Sequence, residues 1–451
     1  MAEPGRPRLV RRLLSGARSP LDAEILRLAV PAFGALVAEP LFLLADSAIV
    51  GRLGTVPLGG LGIASQALAT LTGISIFLAY GTTAAVARQL GAGHRDAAIR
   101  HGIDGLWLAA IIGLVVVAAG WPLSPEIVRA FGGSAAVSQQ AVTYLRISLL
   151  GAPAMLVVLA GTGVLRGLQD TRTPLVVAIG ANAVNIALNA TFVLGLHWGI
   201  AGSAWGTFLA QTVAGGAYLI VVVRAARRTG IGLRPDRRGL TTAAVAGASL
   251  VARTLALQAV LVLMTALAAR QSDAAIAASQ LAMRIWNLFV YALDAIAIAA
   301  QAITGRYLGA GDAAGARAAT RRMTGWGAVY GTAFSALLLA LRPVLPALFG
   351  ITPGVRSLLA AILLVIIVQQ PVAGVVFVLD GILIGAGDQD YLALAGLATL
   401  AVFGAAAALV IQAGAGIVSL WAAYAAWMLA RFLTLTLRGR SERWLVTGSL
   451  R

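Results

Sequence analysis

Several residue types are missing or scarce in this chain. There is no cysteine and no lysine, and the three histidines, His94, His101 and His197, are scattered along the sequence. Without cysteine there is no disulfide and no thiolate metal site, and the histidines form no metal-ligand cluster. Without a phosphate-binding loop, ATP does not drive the protein directly. The sequence contains no catalytic constellation, so we expect neither an enzyme nor a metal or organic cofactor.

Charged residues are also rare, and long apolar runs take their place. The chain of 451 residues is 59% hydrophobic and 11% charged, whereas soluble domains average about 45–50% apolar and about 25% charged. Continuous apolar runs of about 20 residues indicate membrane helices and exclude a β-barrel. We predict an all-α membrane protein with twelve transmembrane helices. They lie at 25–50, 57–84, 102–121, 139–163, 174–196, 199–223, 245–270, 276–303, 323–341, 357–384, 391–412 and 415–437.

The net charge of +17 reflects an excess of arginine, and the placement of the arginines indicates topology rather than nucleic-acid binding. With the N-terminus in the cytoplasm, the predicted cytoplasmic segments hold 24 arginines and the opposite segments hold five. This positive-inside bias predicts a multi-pass protein of the bacterial inner membrane, with membrane lipids beside its basic segments. Residues 1–24 and 438–451 are then cytoplasmic tails, and 224–244 is a cytoplasmic linker.

The two halves of the chain share short sequence matches at a fixed offset of 218 residues. Six predicted spans in each half make the halves parallel repeats, with a pseudo-two-fold axis along the membrane normal and a central cleft. The six-helix lobes comprise residues 25–223 and 245–437. The matches are LGAG at 90–93 and 308–311, FG at 131–132 and 349–350, Pro153 and Pro371, and GxxD at 167–170 and 385–388.

The first predicted helix carries two acids and two prolines. A charged side chain at mid-bilayer costs at least about 2.5–3.5 kcal/mol, so Glu39 and Asp46 need a reason to be there. They are two turns apart on one helix face, where their repulsion favours a proton-binding site. Pro31 and Pro40 each remove a backbone hydrogen bond and can kink this helix beside the site. Hydration of Asp46 near the outer end of the helix is the alternative interpretation.

Amides and further charges lie in other predicted spans. Asn182, Asn185 and Asn189 share one face of the fifth helix, where amides either donate to a carboxylate or join helices together. In the second half, two acids and two arginines suggest either structural pairing or a substrate role. These four residues are Arg253, Arg284, Asp294 and Asp380.

The chain resembles the multidrug and toxic compound extrusion (MATE) family, in the branch that resembles DNA-damage-inducible protein F. The resemblance covers roughly residues 22–437. It is carried by the segment EPLFLLADSAIVGRLG at 39–54, the two LGAG turns, the segments around Gly167 and Gly385, YALD at 291–294 and VLDGILIG at 378–385.

This resemblance implies that substrate leaves as H⁺ or Na⁺ enters, while two lobes rock about a central site. The first-helix aspartate of the family matches Asp46, its first-helix proline matches Pro31, and its fifth-helix asparagine matches Asn185. The fifth-helix aspartate of the family falls on Asn189, and Glu39 is a candidate for the missing acid.

The expected function is export of small amphipathic, cationic organic compounds by a monomer, without a nucleic-acid partner. We expect coupling to H⁺, because Arg253 stands where Na⁺-linked relatives would need a carboxylate. Na⁺ coupling, a flippase for lipid-linked precursors and a receptor or scaffold without transport remain the alternatives.

The arginine distribution generates a topological prediction. Reporter fusions after residue 230 and at the C-terminus should both report the cytoplasm, because an even number of spans separates them from the N-terminal tail. A fusion at residue 133, in a predicted outer loop, should report the opposite side as the control. A periplasmic signal from either of the first two fusions would contradict twelve spans.

Overall fold

A computed structural model describes residues 20–345 and 352–449 and is almost entirely helical. Within these ranges, eleven helices are long and apolar enough to cross a membrane, and a bent pair makes a twelfth span. The predicted all-α membrane fold is therefore confirmed, while the repeat match at 349–350 lies outside the described residues. The helices are α1 Pro20–Gly51, α2 Thr55–Gly91, α3 Arg95–Phe131, α4 in two segments, Ala135–Leu149 and Ala152–Gly167, α5 Arg172–Gly195, α6 Gly199–Thr229, α7 Arg237–Ala269, α8 Asp273–Gly309, α9 Ala313–Leu341, α10 Pro353–Gly385, α11 Gln389–Gln412 and α12 Ile417–Arg440.

Most helices extend beyond their apolar runs. Helix α3 covers Arg95–Phe131 where the sequence predicts 102–121, and only residues 230–236 separate α6 from α7 where it predicts a linker at 224–244. Hydropathy detects the part of a helix that lies in lipid. Arginine is a good helix former, so arginine-rich ends continue the helices into the headgroup region.

Two spans depart from regular α-helix. Helix α4 bends by 56° between its segments, and Pro153 lies at the start of the second segment, where its missing N–H suits a helix N-terminus. Helix α5 changes to a π-helical turn over Ala190–Gly195, directly after Asn189. Such turns are uncommon and often occur at functional positions.

The helices form two lobes, and α1 contacts both. Helices α1–α6 make the N-lobe and α7–α12 the C-lobe. At its first turns, α1 packs on the C-lobe: Asp22 accepts hydrogen bonds from Arg322 at 2.5 and 2.7 Å, and Glu24 pairs with Arg306 at 2.6 Å. At its other end, Asp46 lies inside the N-lobe. Both prolines of α1 lie between these two attachments, within one continuous helix.

The lobes meet closely at the end where α1 begins and α12 ends, which we call the termini end. Here the last turns of α2 and α8 touch. A Cβ atom on Gly91 would overlap the carbonyl group of Arg306, and a Cβ atom on Gly309 would overlap the carbonyl group of Arg88. The contact is reciprocal under the 218-residue offset, so the two LGAG repeats form one symmetric seam.

The same repeats also end their helices. Gly93 and Gly311 have φ angles of +77° and +76°, the left-handed conformation that glycine adopts without strain. Among the described residues, every side-chain hydrogen bond or ion pair that joins the two lobes lies in the half nearer the termini. The polar contacts between the lobes are therefore concentrated at the termini end.

Candidate functional site

The carboxylate of Asp46 is the centre of a polar cluster in the N-lobe. Its side chain is only 2% exposed, so hydration at the helix end does not account for it. Asn189 on α5 donates to Oδ1 at 2.6 Å, and Ser203 on α6 donates to the same oxygen at 2.7 Å. Tyr144 on α4 donates to Oδ2 at 3.4 Å. Three helices thus supply neutral donors to one carboxylate.

A second layer extends this cluster. The hydroxyl groups of Tyr144 and Thr207 are 3.1 Å apart, and the Asn185 amide donates to the Thr207 hydroxyl at 3.3 Å. Asn182 instead donates to the backbone carbonyl of Ala38 at 3.1 Å and so attaches α5 to α1. Of the three asparagines on the predicted face, Asn185 and Asn189 join the acid cluster, and Asn182 connects two helices.

The Asp46 cluster contains oxygen atoms that accept no hydrogen bond, and it contains no cationic side chain among the described residues. None of the ion pairs among the described residues includes Asp46. The side-chain oxygens of Asn185 and Asn189 are buried and have no donor. Buried polar atoms usually have a partner, which is another protein group, a water molecule or an ion. The cluster therefore combines one carboxylate with two further oxygen acceptors that have no donor in the described chain.

Glu39 lies apart from this cluster. Its side chain is exposed and makes no hydrogen bond or ion pair with the rest of the described chain, and its charge acts on Tyr291 on α8 of the other lobe. Helical spacing places Glu39 and Asp46 on one face, but α1 passes from the cleft into the N-lobe between them. The two acids therefore experience different surroundings.

In the C-lobe, the buried Asp380 pairs with two arginines. Asp380 on α10 forms an ion pair with Arg253 on α7, whose Nε also donates at 3.2 Å, and Arg431 on α12 donates to it at 3.1 Å. Arg431 is held over the ring of Trp427, 5.1 Å from its centroid. The predicted pairing of Arg253 is present, but Arg284 is exposed and takes no part in it. Arg431 fills the place that the sequence assigned to Arg284.

Asp294 faces a cavity of about 280 Å³ between the C-lobe and α2. Its carboxylate is partly exposed and makes no ion pair among the described residues, although Arg253, Arg431 and the buried Arg166 of α4 act on it through their charge. We call this space the C-lobe cavity. Aromatic rings form much of its wall: Tyr80, Trp286, Phe377, Tyr424 and Trp427.

Sequence reasoning missed several of these residues. Ser203, Tyr144 and Thr207 are single polar residues in apolar helices and have no distinguishing pattern. Arg166 lies outside the predicted spans and Arg431 lies within the last one, at 415–437, and both are 9% exposed or less. The rarity of charge within a span is the one signal that could have found Arg431.

The ion pairs of Asp380 generate a stability prediction. Asp380→Ala should lower the melting temperature in detergent, because it leaves Arg253 and Arg431 as buried uncompensated charges, at a cost of about 3–5 kcal/mol for a broken pair. Asp294→Ala is the matched control and should melt close to the wild type. If Asp380→Ala melts normally while transport is lost, Asp380 acts on the ion or substrate instead.

Comparisons with known proteins agree with this architecture. The sequence profile of the MatE family matches residues 31–191 and 243–410, one stretch in each lobe. DNA damage-inducible protein F of Escherichia coli K12 is 31% identical over 371 residues, which is 81% of each chain. A MOP-superfamily transporter from Pyrococcus furiosus superposes with a TM-score of 0.84 at 22% identity, over 95% of this chain and 96% of that one. A MATE structure described as bent superposes with a TM-score of 0.86 at 21% identity, over 94% and 95% of the two chains.

The profile match covers more than half of the chain, and the bacterial relative matches along most of its own length. Both repeats take part, which agrees with the two-lobed arrangement of helices. Members of the matched family are transporters rather than enzymes, in keeping with the absence of a catalytic constellation from the sequence. The chain belongs to the MATE family of multidrug efflux transporters.

Proposed function

We propose that this MATE transporter exports amphipathic, cationic organic compounds in exchange for H⁺, by alternating access across the bacterial inner membrane. The observation that carries the proposal is the buried Asp46, which has hydrogen-bond donors but no cationic partner. An ionised carboxylate in a dry environment is costly unless a charge compensates it. Uptake of one proton removes that cost.

The surroundings of Asp46 suit both of its protonation states. As an anion it accepts hydrogen bonds from Asn189, Ser203 and Tyr144. As an acid it becomes a donor, and a turn of the Asn189 amide would present its unpartnered oxygen as the acceptor. Protonation would reverse hydrogen bonds between α1 and α5 and so shift the balance between two arrangements of these helices. This is how proton binding at one acid would be linked to movement of α1.

Na⁺ is the rival coupling ion, and the same atoms support it. Na⁺ is a hard cation that takes oxygen ligands, and the amide oxygens of Asn185 and Asn189 lie unpartnered near the carboxylate. In the C-lobe the equivalent use of Asp380 is disfavoured, because Arg253 and Arg431 already occupy its oxygens. Either ion would therefore bind in the N-lobe.

The C-lobe cavity supports the proposed substrate class. Its aromatic walls provide the apolar contact that an amphipathic compound requires, and Asp294 makes no ion pair, although Arg253 and Arg431 line the same cavity. A flippase for lipid-linked precursors would favour a strongly cationic cleft, whereas Arg253 and Arg431 in this cavity are matched by Asp294 and Asp380. A receptor or scaffold without transport differs by the absence of substrate flux.

The proposed orientation follows from the arginine distribution. With both termini in the cytoplasm, the termini end, where polar contacts join the lobes, faces inward, and we infer that the cleft opens outward. The molecule would thus be in the state that releases substrate and receives the coupling ion.

The coupling ion is tested with purified protein in proteoliposomes. A pH gradient without Na⁺ should drive transport of a cationic dye, because proton uptake at Asp46 supplies the energy. A Na⁺ gradient at equal pH on both sides is the control and should drive none. Transport that needs Na⁺ and ignores the pH gradient would reject H⁺ coupling, and no flux with any dye or drug would favour a receptor or scaffold.

The role of Asp46 is tested by a pair of acid-to-amide variants on one helix. Asp46→Asn keeps the size of the side chain and mimics the neutral acid, so the protein should fold while coupled efflux is lost. Glu39→Gln is the matched control, and its effect should be small, since Glu39 lies outside the cluster. If Glu39 does supply the missing acid, Glu39→Gln would lose transport and Glu39→Gln with Asn189→Asp would recover it. Wild-type efflux by Asp46→Asn at normal expression would defeat the scheme.

A further inference from the structure

A short C-terminal segment crosses the seam between the lobes. Residues 441–449, which we call the strap, leave the end of α12 and run over the termini end of the C-lobe. Trp444 is 1% exposed and donates to the carbonyl of Gly439, and Glu442 pairs with Arg317 on α9 at 2.6 Å. The first half of the strap is thus attached to the C-lobe.

The second half of the strap contacts both lobes at one residue. The N–H group of Gly448 donates to the carbonyl of Leu308 at the end of α8, at 2.9 Å. The carbonyl of Gly448 accepts from Arg88 at the end of α2, at 3.2 Å. Arg88 also donates to the carbonyl of Val446 at 2.8 Å, and Gln89 donates to that of Ser449 at 3.2 Å. The strap is therefore bonded to each side of the seam.

The repeat symmetry shows that the strap and α1 bind equivalent arginines on the two sides of the seam. Arg88 and Arg306 are equivalent under the 218-residue offset, and each lies one turn before the glycine that makes the close seam contact. Arg306 is held by Glu24 on α1, so α1 attaches that side of the seam to the opposite lobe. Arg88 is held by the carbonyls of the strap and of Ala386, the residue directly after α10. One side of the seam is secured by the first helix and the other by the strap.

We propose that the strap is a closing device for the termini end, which must leave Arg88 whenever the lobes separate there. Gly448 reaches Arg88 and Leu308 together only while the ends of α2 and α8 touch. The hydrogen bonds of Arg88 carry a full charge, and such bonds are stronger than neutral ones. The strap therefore lowers the population of the state that opens at the termini end, whichever ion drives transport.

The absence of cysteine from the natural chain allows spin labels to test this directly. Asp96→Cys and Ala314→Cys place labels at exposed, repeat-equivalent positions on either side of the seam. In this background, Gly448→Pro removes the N–H donor and is incompatible with the φ of +109° at that residue. Loss of these bonds should raise the ratio of long to short label distances by roughly three- to tenfold. Thr447→Ala, at an exposed neighbour, is the control and should leave the ratio unchanged.

A second measurement keeps the strap intact, so that it does not depend on how a variant folds. Labels at Val446→Cys and Asp96→Cys report the distance from the strap to the N-lobe. That distance should lengthen under every condition in which the seam pair lengthens. The proposal is overturned if the seam opens while the strap stays beside the N-lobe, or if Gly448→Pro leaves the seam distances unchanged.

Discussion

The cost of burying a carboxylate in a dry helical lobe shapes both halves of this transporter. In the C-lobe, two arginines neutralise Asp380, and the lobe is locked together by that arrangement. In the N-lobe, Asp46 has only neutral donors, and the charge remains uncompensated. The first arrangement leaves the acid paired with cations, and the second leaves the acid without a cationic partner. The two lobes, although related by repeat, therefore differ in what they can bind.

Helix α1 connects this difference to the shape of the molecule. Asp22 and Glu24 attach its beginning to the C-lobe, and Asp46 attaches its end to the N-lobe. A change in the hydrogen bonds of Asp46 is therefore applied to a helix whose other end is fixed across the cleft. Pro31 and Pro40, which each lack an N–H donor, lie where such a helix would have to yield.

The sequence predicts the features of this structure that depend on apolar runs, on a charged residue within an apolar span or on the internal repeat. Twelve spans and two parallel lobes follow from hydropathy and from the repeat offset, whereas the grouping of Asp46, Asn185 and Asn189 follows from the family resemblance. The partners of the acids do not follow, because Arg431 and Ser203 approach them from helices distant in sequence. Glu39 illustrates the same limit: helical periodicity fixes its face on α1, whereas the surface that this face meets is decided by tertiary packing.

The reciprocal contact between the LGAG repeats has the form of an isologous dimer interface. Gly91 packs on the carbonyl group of Arg306, which lies three residues before Gly309. Gly309 packs in the same way on the carbonyl group of Arg88, which lies three residues before Gly91. A surface of this kind is complementary to itself, as in a two-fold homodimer. The connection of residues 230–236 thus joins two protomer-like units in one chain. Because the two units lie in one chain, their sequences are free to diverge. Arg306 pairs with Glu24 on α1, whereas its equivalent Arg88 binds the strap.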